Sequence, residues 1–234
     1  LKGALLFMLW YDMPHRATRD ADLLGFGASD LESVARVFRE IAGIKVDDGI
    51  VFDPASVAVE EIRKENGYGG VRVVIAGELA KARCKTQIDV GFGDAVTPGP
   101  VDSIYPVLLD DLPAPRLRAY PTYTVIAEKL HAIALLGMTN SRVKDYSDLS
   151  VLLERETLDA DLLAQAIKAT FERRGMTVPA ELPVGLTDEF AHDASRQALW
   201  QAFVKKNELA PEPLAAIVDR LRAALEPALN RAAR

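Results

Sequence analysis

Cysteine is almost missing from this chain. Cys84 is the only one in 234 residues, which excludes an intrachain disulfide framework and a cysteine-built zinc site. Histidine is scarce too, and His15, His131 and His192 are scattered rather than spaced as a metal cluster. No apolar run reaches the roughly 20 residues of a transmembrane helix. No signal peptide opens the chain either, so the expectation is a cytoplasmic protein with no membrane partner. Positive charge is in deficit, with 28 Lys and Arg against 34 Asp and Glu for a net −6. That excludes a uniformly basic coat for nucleic acid and leaves room for a local basic patch. Leu1 is not an initiator methionine, and the opening LKGALLFMLWYD starts in mid-pattern, so residues are expected upstream.

Apolar residues make up 49% of the chain, enough for one large core or two ordinary ones. Residues 1–11 lack polar alternation and read as a buried helix, broken after Met13 by Pro14. SDLE at 29–32 has the form of a capping box with Ser29 as N-cap and Glu32 as its partner. The helix it opens carries Leu31, Val34, Val37, Phe38 and Ile41 and stops at Gly43. Between 50 and 92 the period changes. SVAVEEI, GVRVVIAGEL and CKTQIDVGF are rich in β-branched residues and predict a meander of strands. The proline-dense stretch 97–121 reads as an irregular connection between domains. Helices are expected after it at 122–137, 141–155, 159–174, 187–206 and 211–230, with Ser141, Asp159 and Thr187 as N-caps and Gly175 as a stop. The chain is therefore α+β, divided into an α/β domain over 1–113 and a helical domain over 114–234.

Within RATRDADLL, residues 16–24, Asp20 and Asp22 are two apart in an extended segment and so project to one side. Like charges held together repel, so the pair is either a solvated strand end or a seat for a cation. Asp89 lies in a second β-like run, KTQIDVGFGDAV. If its strand adjoins the first, three carboxylates meet on one edge, a donor set suited to Mg²⁺. Two ions there could clamp an in-line displacement at phosphorus. Asp89 could equally end its strand at the surface.

Two helical stretches carry further charge. YTVIAEKLHAIALL places Lys129 in a helix whose stripe Ile126, Leu130 and Ile133 is apolar; the ammonium either reaches solvent or points at a phosphate. SRVKDYSDLSVLLE packs Arg142, Lys144, Asp145 and Asp148 into two turns, where surface ion pairs at i,i+3 and i,i+4 would explain them.

Taken in order, LKGALLF, HRATRDADLL, QIDVGFGDAV, AEKLHAI and SRVKDYSDL resemble the motifs of the AbiEii/AbiGii toxin family of nucleotidyltransferase-like proteins, within the DNA-polymerase-β-type superfamily. The likeness runs from residue 2 to about residue 155. It implies a nucleotidyltransferase-like mixed sheet with flanking helices, then an all-helical domain, with the active site between them. Asp20, Asp22 and Asp89 would be the metal ligands, for Mg²⁺ or Mn²⁺. Gly3 would approach the nucleotide phosphates, and Lys129 would face the triphosphate. Arg142, Lys144 and Asp145 would match the R-x-K-D motif, with Asp145 among the catalytic residues. The family's first motif usually continues after its glycine with a second glycine or serine and then a small hydroxyl residue, where this chain has Ala4 and Leu5. Thr18 and Arg19, beside the D-x-D pair, are the residues placed to compensate at the phosphates. The implied activity is transfer of a nucleoside monophosphate from an NTP to a hydroxyl of RNA, such as a tRNA end, by the toxin of a toxin–antitoxin pair with a cognate antitoxin. The alternatives are a small-molecule or protein nucleotidyltransferase, or a catalytically silent relative that binds nucleotide or a partner.

Overall fold

Strand-rich sequence gives way to helix-rich sequence, and the chain divides accordingly. A computed structural model describes residues 1–11, 16–62, 69–109 and 111–234. One unit comprises Leu1–Asp94 and Val101–Ala119; the other comprises Ala95–Pro100 and Tyr120–Arg234.

The first unit begins with Lys2 in an isolated antiparallel bridge to Asp22, followed by one 3₁₀ turn, Gly3–Leu5, and α1 (Leu6–Tyr11). The expected helix over 1–11 thus occupies only its second half, because the Lys2 backbone pairs with the sheet edge and Gly3–Leu5 form the 3₁₀ turn. After β1 (Asp20–Gly25) comes α2 (Leu31–Ala42), then β2 (Ile50–Phe52), β3 (Ala58–Ile62), β4 (Gly70–Leu79) and β5 (Ala82–Phe92). The N-cap of α2 is Asp30, not Ser29: its carboxylate accepts from Ser33 N at 2.9 Å. The predicted apolar stripe is also rotated. Val34, Phe38 and Ala42 are buried, while Val37 and Ile41 are exposed.

These strands form one mixed sheet in the order β1-β5-β4-β2, with β3 also paired to β4. β1 runs parallel to β5, and the other pairings are antiparallel. Ala80 and Lys81 make the two-residue β4–β5 turn, both at positive φ, which matches the right-handed twist of the paired strands. One sheet face packs on α2 through Val71, Val73, Ile75 and Val90 against Val34 and Phe38. Strand alternation sends Asp20, Asp22, Asp89 and Arg72 to the opposite face. The proline-dense segment is not wholly irregular, since β6 (Val101–Ile104) and β7 (Arg116–Ala119) pair within it as a two-stranded sheet.

The second unit is helical: α3 (Thr122–Leu136), α4 (Val143–Arg155), α5 (Ala160–Arg173), α6 (Asp188–His192), α7 (Ala194–Lys206) and α8 (Leu214–Ala232). α3 packs on α5, and α8 lies against α4 and α5, around a core that includes Ile126, Leu130, Ile133, Leu149 and Ile167. Asp159 caps α5 as its position predicts, accepting from Asp161 N and Leu162 N. Ser141 does not cap α4. The N-cap is Arg142, which makes no side-chain cap bond; its own N–H donates to Asn140 Oδ1 at 2.8 Å. The single helix expected over 187–206 is two, because Asp193 stops α6 and caps α7 through Arg196 N at 2.9 Å. Among the described residues no helix is long and apolar enough to cross a membrane.

Candidate active site

The open face of the sheet carries a row of charge set by strand register. Lys2 lies opposite Asp22, Asp22 opposite Asp89, Asp89 opposite Arg72, and Arg72 opposite Glu60. Register partners share a face, so these five positions form a transverse line on the side away from α2. Asp20 lies on the same side of β1 as Asp22. Lys2 is buried and ion-paired with Asp94, and its ammonium lies above Gly91, where a β-carbon would be 3.4 Å away.

Asp89 is the best-defined of the three expected metal ligands. Arg72 Nε donates to its Oδ1 at 2.9 Å and Nη2 to its Oδ2 at 2.8 Å, a bidentate fork in which the side chains are 33% and 20% exposed. The hydrogen bonds to Asp89 hold the Arg72 guanidinium above its ordinary pKa despite burial, and attraction from Asp89, Asp20 and Glu60 adds to this. Glu60 Oε1 is 3.9 Å from Nη1. At β1, Gly3 sits with φ +76° against the Asp22 carboxyl group. Thr18 and Arg19 are exposed, and the Thr18 hydroxyl donates to the Asp20 carbonyl at 3.3 Å.

Among the described residues no group of three or more His, Cys, Asp or Glu side chains is arranged to hold a metal. Asp20 and Asp22 share one face of β1, and two carboxylates are a donor set of the kind Mg²⁺ takes, with water and phosphate oxygens completing its shell. Asp89 does not fit as it stands, since both of its oxygens accept from Arg72.

In the helical unit, Lys129 Nζ donates to Asp145 Oδ1 at 2.8 Å and to Asp148 Oδ2 at 2.7 Å. Arg142 Nε donates to the other oxygen of Asp145 at 2.7 Å. Asp145 is 0% exposed, Lys129 13%, and Arg142 48%. Burial alone would push the Lys129 ammonium down, but the two carboxylates hold it above the ordinary range. Burial likewise works to raise Asp145, and Lys129 with Arg142 holds it below the usual carboxylate range. The ammonium of Lys129 therefore points neither to bulk solvent nor along the surface; it ties α3 to α4. Lys144, two residues along from Arg142, is exposed. Nearby, burial and then the Arg174 guanidinium push His131 down to about 4, with Arg174 Nη1 3.5 Å from its Nδ1 and Phe171 edge-on at 5.0 Å. His131 is thus a neutral core residue, and His192 is exposed. His15 lies outside the described residues.

Sequence reasoning passed over Lys2, Arg72 and Asp94, and read Asp148 only as one side of a surface ion pair. A signal existed for Arg72, a charged residue set between valines in GVRVVIAG and so turned to the face opposite Val71 and Val73. Asp148 gave none, because its spacing from Lys144 suggests a surface pair while the side chain is buried against Lys129.

A mixed sheet with paired aspartates on its first strand, followed by a helical unit, defines a nucleotidyltransferase-like fold. A crystal structure of a candidate nucleotidyltransferase from H. pylori is similar, with a TM-score of 0.51 at 16% identity over 99% of this chain and 86% of that one. JHP933 from Helicobacter pylori is also similar, with a TM-score of 0.49 at 16% identity over 98% and 82%. No functionally curated protein matches the chain. The family model of the nucleotidyl transferase AbiEii toxin of type IV toxin–antitoxin systems matches residues 1–227, and the chain belongs to that family.

Proposed function

We propose that this family member moves a nucleoside monophosphate from an NTP to a hydroxyl on RNA, such as a tRNA end, in a reaction that depends on Mg²⁺ or Mn²⁺. The observation that carries the reading is the register of β1 and β5, which sets Asp22 beside Asp89 with Asp20 on the same face. Asp20 and Asp22 would hold a divalent cation there, which would neutralise triphosphate charge and make the acceptor hydroxyl easier to deprotonate. Gly3 lets the chain pass close beside Asp22, which keeps that carboxylate in one orientation. The acceptor hydroxyl gives up its proton to water and its oxygen bonds to the α-phosphorus as the bond to pyrophosphate breaks; fixed positive charge favours the departing group. Arg19, exposed beside the D-x-D pair, is assigned to phosphate binding. In the helical unit Arg142 is the cation of the buried cluster that reaches solvent, and Asp145, itself held by Lys129, fixes its position. A cognate antitoxin, as the family description suggests, completes the biological setting.

The test is label transfer. The protein is incubated with Mg²⁺, each α-labelled NTP and total RNA, beside an Asp20→Asn/Asp22→Asn control. Label in an RNA band that the control lacks supports the reading and names the nucleotide. Label on protein or a small molecule replaces RNA as the acceptor. Absence of transfer, with no Mg²⁺-dependent NTP binding, leaves a silent binding relative, a reading that the pairing of Asp89 with Arg72 would favour.

A further inference from the structure

Arg72 stands where the charge pattern of the sheet calls for a cation. It is paired to Asp89 through two hydrogen bonds, has Glu60 on its other side, and feels the pull of Asp20. Its position is fixed by backbone, not by a flexible loop. β4 and β5 pair without interruption from Gly70↔Gly91 to Leu79↔Ala82, and Arg72 and Asp89 are direct partners within that ladder. A guanidinium fork matches a carboxylate in both shape and charge, so it occupies the lone pairs that a metal would otherwise use.

We propose that Arg72 takes the place of one cation on this face: it keeps Asp89 out of the metal shell, and a divalent ion is held by Asp20 and Asp22 alone. This rests on the reading of the face as a cation site. In that arrangement one positive charge of the site belongs to the protein and is present before any ion or nucleotide arrives. Removal of Arg72 takes the guanidinium fork off Asp89, on the strand next to Asp20 and Asp22. A divalent ion then gains a third ligand.

Mn²⁺ titration of the full chain, followed by the electron paramagnetic resonance of the free ion, measures this without reference to turnover. Four proteins form a double-mutant cycle: the unaltered chain, Asp89→Asn, Arg72→Gln, and the double variant. The expected result is that Arg72→Gln binds Mn²⁺ about tenfold more tightly. Asp89→Asn should weaken binding about tenfold in the Arg72→Gln background and by no more than about threefold in the unaltered one. Equal losses in the two backgrounds would overturn the proposal, since Asp89 would then act as a ligand despite Arg72. No gain on removal of Arg72 would overturn it as well. Should Arg72→Gln fail to fold, Arg72→Lys keeps the charge but loses the fork, and its Mn²⁺ affinity must still rise. An unaltered chain and an Arg72 variant that both fail to bind Mn²⁺ would remove the cation site itself. Normal Mn²⁺ coupling without label transfer would leave the Arg72 assignment standing and overturn only the proposed reaction.

Discussion

A β-carbon on Gly3 would lie 2.6 Å from the carboxyl carbon of Asp22 and 2.7 Å from its Cβ, closer than such atoms approach. The first glycine of the chain and the second aspartate of the D-x-D pair are therefore fitted to each other. Gly3 also holds φ +76°, where an L side chain is strained. Gly3→Ala should cost about 1–3 kcal/mol in urea unfolding from strain. Displacing Asp22 should lower nucleotide transfer about a hundredfold. Gly27→Ala is the control: its φ is +95° but nothing lies within 4 Å, so it should lose stability and keep activity.

Lys129 joins two carboxylates that are themselves almost wholly buried. Lys129→Met removes the cation that both carboxylates share and leaves Arg142 on Asp145, so the helical unit should lose about 3–5 kcal/mol in urea unfolding. Adding Asp148→Asn should restore part of that loss by removing one buried charge. A double variant no more stable than the single one would show that the carboxylates are relieved in some other way.

The same cluster sets limits on the pH range of stability. Lys129 is raised in the folded state, so its contribution is full below the unfolded lysine value and fades as pH climbs through the folded one. Asp145 is lowered, so its contribution is present above the unfolded aspartate value and fades as pH falls through the folded one. His131 acts earlier on the acid side. With its folded value near 4 and an ordinary value of 6.5, stability should begin to fall as pH drops below 6.5 and stop falling on this account below about 4. At pH 5 the loss should be about 2 kcal/mol. Thermal unfolding at pH 7 and pH 5 checks this, and His131→Gln should show a smaller difference between the two.

Tyr146 stacks on Phe190 at 5.1 Å and donates its hydroxyl to the Gly185 carbonyl at 2.9 Å, all within the core. Tyr146→Phe keeps the ring and strands the carbonyl. Its expected cost is about 1–2 kcal/mol by denaturant titration, with label transfer unchanged.

Much of this was legible beforehand because it depends on local physics. Richness in β-branched residues marked β3, β4 and β5, helix was expected across α3 to α5 and α8, and Asp159 was readable as a cap from side-chain chemistry alone. The misreadings were also local. Ser29 and Asp30 are both competent caps, and only the angle at which the chain enters α2 selects Asp30. Asp193 ends one helix and starts another, which residue spacing does not distinguish from a continuous helix. The strands β6 and β7 were hidden in proline-dense sequence because a strand pair needs a partner that no short window contains.

The residues of the candidate site divide along the same line. By itself the sequence placed Asp20 and Asp22 on one side of an extended segment, since side chains two apart share a face in any strand. It could not place Asp89 beside them, or Arg72 upon Asp89. Those neighbours come from parallel pairing of β1 with β5 and antiparallel pairing of β5 with β4, contacts between segments distant in the chain. Burial is likewise a property of the packed molecule. The charges of Lys129, Asp145 and Asp148 were plain in the sequence, but whether they faced water or one another was decided only when α3 and α4 packed and excluded solvent between them.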